Sequence, residues 1–159
     1  WSDCGKPCAK EKYRFQMKVF PIIKESGWYW DEPNDSICRF TIRHTNYFPF
    51  YDIKDTSKDM IIMHHNPFKA RLSVDPINPP IVFDTIEKIN DRYFLIVVMD
   101  SINKKTLTHY KKVVGLTTIK GNEIEFHYDL KSKDTTVEVK DFIINSLKYL
   151  HTIRLSNGI

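Results

Sequence analysis

Residues 116–139, LTTIKGNEIEFHYDLKSKDTTVEV, alternate apolar and polar side chains with the period of a β-strand, interrupted by two turn sequences. Strand side chains point to opposite faces in succession, so Ile124, Phe126, Tyr128 and Leu130 share one face and Glu123, Glu125, His127 and Asp129 the other. Gly121-Asn122 reads as a two-residue hairpin connection, and residues 131–134 as a longer polar turn. The pattern predicts three consecutive antiparallel strands, with Ile119 and Val137 also on the core side and the acidic set facing water. In a chain of net charge +4, an acidic stripe is the clearest pointer to a binding surface.

Counting from the turns sets Lys120 opposite Glu123, Lys140 opposite Glu125 and Glu138 opposite His127. Cross-strand charge pairs of this kind contribute roughly 0.2–1 kcal/mol each. Asp129 and Glu138 have no such partner, and they lie beside Leu116 and Val114 on the outward face. The stripe thus narrows to a mixed acidic and apolar patch suited to contact with a protein.

The remaining chain has the same period. Tyr13, Phe15, Met17 and Val19 alternate with polar residues, as do Cys38, Phe40 and Ile42, and Phe68, Ala70, Leu72 and Val74. Residues 60–65, 81–86 and 93–99 are denser apolar runs, as expected of central strands covered on both sides. Only the segment after Asp141 favours a helix, with Ile143, Leu147 and Leu150 at i, i+4 and i+7. The expected fold is therefore all-β: a two-sheet antiparallel β-sandwich with one short C-terminal helix, residues 1–159 forming a single domain. The proline-rich stretch at 75–80 reads as a rigid loop within it. A lipocalin-like barrel that carries a small ligand is the alternative, although Gly27-Trp28-Tyr29-Trp30 puts Tyr where the Gly-x-Trp motif of that class has Trp.

The longest apolar run, residues 93–99, is far short of the ~20 residues that a membrane helix needs, so a soluble protein without a membrane span is expected. The chain starts at Trp1, as a processed or excised segment would. Cys4, Cys8 and Cys38 leave one thiol over after any internal pairing, which suggests a partner outside this chain and an oxidising compartment. Asn34-Asp35-Ser36 is a glycosylation sequon in a turn setting, consistent with secretion. Lys and Arg are spread along the chain, with only short pairs at Lys104-Lys105 and Lys111-Lys112, so a nucleic-acid partner is not expected.

No catalytic constellation is legible, and the expectation is a protein that is not an enzyme and uses no cofactor. There is no Gly-rich phosphate loop and no G-x-S-x-G elbow. His64 and His65 would point to opposite faces of a strand and could not share a metal ion, and Cys4, Cys8 and Cys38 lack a fourth zinc ligand, so no metal is expected.

From Trp1-Ser-Asp-Cys4 through LTTIKGNEIEFHYDLKSKDTTVEVKDF to Ile159, the chain resembles the SECRET domain of the secreted poxviral tumour-necrosis-factor-receptor homologues. The resemblance implies a secreted decoy that sequesters host chemokines, small basic proteins, and so supports viral immune evasion. It also implies that residues 1–10 adjoin a cysteine-rich receptor region, which would bind cytokine and supply the partner of the odd thiol. A local acidic patch suits a basic partner even on a protein of positive net charge, because screening at ~0.15 M salt limits the field to about 8 Å. Glu123, Glu125, Asp129 and Glu138, with Leu116 and Val114, are the expected contacts. The related chemokine inhibitors carry a long acidic loop that this chain lacks; Asp31-Glu32 and Asp35 are its nearest counterpart.

Overall fold

The computed structural model describes residues 13–16, 37–45, 58–119 and 122–157. In chain order these form β1 (Tyr13–Gln16), β2 (Ile37–Thr45), α1 (Lys58–Val74), β3 (Ile81–Ile89), β4 (Arg92–Asn103), β5 (Thr108–Ile119), β6 (Asn122–Ser132), α2 (Val137–Lys140), α3 (Phe142–Leu150) and β7 (Arg154–Asn157). The mostly-β expectation holds. β2, β6, β5, β4 and β3 form one antiparallel sheet in that order, and β1 pairs with β7 in a two-stranded ribbon. The five-stranded sheet is open among the described residues, with β2 and β3 at its edges, which gives the barrel alternative no support.

Both faces of the sheet are covered. On one, Phe94, Ile96, Val98, Val113, Ile124, Phe126 and Tyr128 pack with Phe142 and Leu150 of α3 and with Leu155 of β7. On the other, Leu95, Val97, Met99, Val114 and Leu116 pack under Ile61, Phe68 and Leu72 of α1. Six consecutive β4 residues, 94–99, are buried for this reason. Gly115 of β5 lets α3 approach closely, since a Cβ there would lie 2.5 Å from Leu150 Cδ1. The expected C-terminal helix is present, and Asp141 starts it through its carbonyl, which accepts from Asn145 N–H at 2.8 Å.

Several expectations are corrected. Residues 60–65 and 68–74, read as strands, belong to the single helix α1. Period 2 misled because Phe68 and Leu72 also satisfy a helical stripe with Ile61, whereas Ala70 and Val74 of the apparent strand face are exposed. Residues 135–139 are not a third hairpin strand: Val137–Lys140 forms a helical turn, in which Val139 is buried and Val137 is exposed rather than in the core. Residues 81–86 lie in β3 at the sheet edge, not mid-sheet.

The β5–β6 register also differs. Ile119 pairs with Asn122 and Thr118 with Glu123, so Asn122 belongs to β6 rather than to the turn. The shift moves every partner by two residues and leaves each side chain on its predicted face. Glu125 lies opposite Leu116 and Arg43, and His127 opposite Val114 and Thr41, in place of the pairings with Lys140 and Glu138.

Candidate functional site

α1 is apolar along one seam and charged on both flanks. At about 100° per residue, Ile61, Phe68 and Leu72 form the central stripe, His65 and Lys69 fall on one side, and His64 and Arg71 on the other. The sheet face beneath answers with carboxylates at matching positions. On the β3 side, Asp84 accepts from Lys69 Nζ at 2.7 Å and from His65 Nε2 at 2.5 Å. On the β6 side, His64 Nδ1 lies 2.6 Å from Glu123 Oε1, and Arg71 Nη2 lies 2.5 Å from Glu125 Oε1 and 3.7 Å from Glu123 Oε2.

The acidic side of β6 is consequently not a water-facing stripe. Glu123, Glu125 and His127 are buried, with Glu125 at 2% and His127 at 1% exposure. Leu116 and Val114, expected beside them as outward apolar groups, are fully buried under α1. None of these five side chains offers a surface to a macromolecule. Asp129 is half-buried and paired with Lys112 Nζ at 3.2 Å and Arg39 Nε at 3.6 Å. Of the expected contacts only Glu138 is fully exposed, on α2 and away from the β6 ladder. Its carboxyl is held below the ordinary range by hydrogen bonds from its own backbone N–H and from the Thr136 hydroxyl.

The buried pair has a defined proton arrangement. His127 Nε2 donates to Glu125 Oε2 at 2.6 Å. Burial disfavours a charged Glu125, but the His127 hydrogen bond and the Arg71 guanidinium outweigh it and hold the carboxyl below its usual range. Burial likewise pushes the His127 imidazole down, more strongly than Glu125 pulls it up. His127 Nδ1 is buried with no hydrogen-bond partner among the described residues. Asp84 is held low first by the Lys69 hydrogen bond and then by that of His65.

Chemically, this arrangement is a lock: every carboxylate under α1 is matched to a cation or an imidazole N–H, and the helix is pinned on both flanks. Removing one partner of a buried pair costs about 3–5 kcal/mol, because the other charge stays buried and uncompensated. Asn78 completes it at the helix C-terminus, donating from Nδ2 to the Leu72 carbonyl at 2.9 Å and accepting from Lys112 Nζ at 2.9 Å. Among the described residues no three His, Cys, Asp or Glu side chains converge to hold a metal ion, and no helix is long and apolar enough to cross a membrane.

Sequence reasoning missed His64, His65, Lys69, Arg71 and Asp84. Assigning 60–74 to strands hid the helical wheel that brings the first four together. One signal was available: β4 and β5 read as apolar on both faces, so the β6 side chains sharing the second face had to be covered too. Cys4, Cys8 and Asn34 lie outside the described residues, and Cys38 is half-buried on β2. No family model, no curated protein and no solved structure matches this chain.

Proposed function

We propose that this chain is a secreted chemokine-sequestering domain of the SECRET type, nearest in character to that of cytokine response modifier D, which binds host chemokines and blocks their engagement of receptors. The observation that carries this reading is the whole-length resemblance of the sequence, from Trp1 through residues 116–142 to Ile159. The β1–β7 ribbon is, in this reading, part of the second sheet of a β-sandwich. The domain acts by binding alone, and its cytokine-binding partner region precedes Trp1.

The contact surface moves with the burial of β6. Glu138 remains, and it stands beside exposed Val137 and six residues before exposed Ile144 of α3, with Asp134 just upstream. This retains the chemistry expected of the site, a few negative charges beside apolar area, on the α2–α3 face. Complementary charge of this kind mainly raises the association rate and selects among partners.

Titration of the immobilised domain with a chemokine panel tests the proposal. At least one chemokine binds with Kd below about 1 μM, and Glu138→Lys combined with Val137→Ala weakens it at least about tenfold with the melting temperature unchanged. Absence of any binding below micromolar contradicts the reading.

A further inference from the structure

Lysines that are scattered in sequence are gathered by the sheet topology. The β4–β5 hairpin ends in residues 104–107, and β6 ends beside β5, with Tyr110 opposite Lys131 and His109 opposite Ser132. Adjacent strands lie about 4.8 Å apart, so Lys104 and Lys105 at the hairpin tip and Lys131 and Lys133 at the end of β6 share one end of the sheet. Within residues 103–111 and 131–134, Asp134 is the one acidic residue. Lys111 pairs with Asp100 at 3.0 Å and Lys112 with Asp129 at 3.2 Å.

The tip is also preorganised. Asn103 Oδ1 accepts the backbone N–H of Lys105 at 3.0 Å and that of Thr106 at 3.3 Å, and the Thr106 and Thr108 hydroxyls are 2.8 Å apart. Leu107 holds φ 55°, a left-handed conformation that costs a branched side chain about 1–2 kcal/mol and that this bonding sustains. Lys104 and Lys105 are exposed on a turn whose backbone is already ordered, so binding through them loses little conformational entropy.

We propose that this end of the sheet binds a linear sulfated polysaccharide, with Lys104 and Lys105 as the principal contacts and Lys131 and Lys133 extending the track. Lysine ammonium groups recognise closely spaced sulfates as point charges without a planar fork. A nucleic acid is disfavoured by the lack of a stacking ring at the tip, since residues 103–109 contain no aromatic Phe, Tyr or Trp, and the nearby Tyr110 ring lies under Lys131 Nζ at 5.9 Å. Its principal contacts, Lys104 and Lys105, lie on the β4–β5 hairpin, a different part of the fold from the α2–α3 face.

Heparin binding at 0.15 M salt, measured as a function of ionic strength, tests this. The unaltered chain binds, and Lys104→Ala with Lys105→Ala weakens it about tenfold or more while lowering the slope of log Kd against log salt by about 2. The pair Lys140→Ala with Lys148→Ala, on α2 and α3, leaves both unchanged, and all variants keep their melting temperature. Absence of heparin binding, or equal losses in the two variants, overturns the proposal. So does equal competition at matched charge by a single-stranded oligonucleotide or by phosphatidylserine vesicles.

Discussion

Arg71 on α1 and Glu125 on β6, 54 positions apart, meet at 2.5 Å across the helix–sheet seam, one of them half in solvent and the other almost wholly buried. That asymmetry sets what the pair does. Arg71 keeps part of its hydration when unpaired, whereas Glu125 without Arg71 retains, among the described residues, only the His127 hydrogen bond inside the core. The helix is therefore held by a charge that the sheet cannot leave unmatched.

Acid weakens this fold in two stages. Burial lowers His127, so the unfolded chain takes up a proton more readily than the folded one, and stability present above pH 6.5 falls as pH drops below it. Glu125 and Asp84 are also lowered, so the stability they contribute is present above 4.5 and 3.8 and is lost as pH falls further. Urea midpoints are expected to be flat from pH 8 to 7, to decline below 6.5, and to decline more steeply below 4.5. His127→Gln, which can still donate to Glu125, removes the first decline and keeps the second.

The close approach of α3 to β5 makes Gly115→Ala destabilising by about 1–3 kcal/mol, because the new Cβ would meet fully buried Leu150 at 2.5 Å and force it to shift within the core. Leu150→Ala alone costs about 2–5 kcal/mol by leaving a cavity. The double variant is less destabilised than the sum, since the new methyl fills part of that space. Denaturant unfolding of the four proteins measures the coupling; strict additivity counts against the contact.

Carboxylates on the two flanks of α1 differ in how far they are buried, and their losses should differ accordingly. Asp84 retains 23% side-chain exposure, Glu125 only 3%. Asp84→Ala is expected to cost about 1 kcal/mol, while Glu138→Ala on the exposed turn leaves the urea midpoint unchanged. Equal effects at 84 and 138 would mean that the β3 flank does not hold the helix.

What was legible in the sequence was the strand content, the two faces of β6 and the C-terminal helix, because each rests on a local period. The alternation of Ile124, Phe126, Tyr128 and Leu130 placed the α3-side core correctly even though the hairpin register slipped by two. What was not legible was which face water reaches. Polarity on a strand face signals solvent only when nothing packs over it, and the element that packs over Glu123, Glu125 and His127 is a helix whose Phe68 and Leu72 also fit a strand. Its other contacts, His64, His65, Lys69 and Arg71, are polar, so no apolar stripe wide enough to announce a buried helix face appears.

A double-mutant cycle on Arg71→Ala and Glu125→Ala, followed by urea unfolding at pH 7, tests the central claim that the acidic side of β6 is an internal lock rather than an exposed surface. Arg71→Ala, which leaves Glu125 buried and unmatched, is expected to cost about 3–5 kcal/mol and Glu125→Ala, which leaves Arg71 half in solvent, less, with a coupling of about 1.5–3 kcal/mol between them. Single losses within 0.5 kcal/mol that simply add would place both side chains in solvent and contradict it.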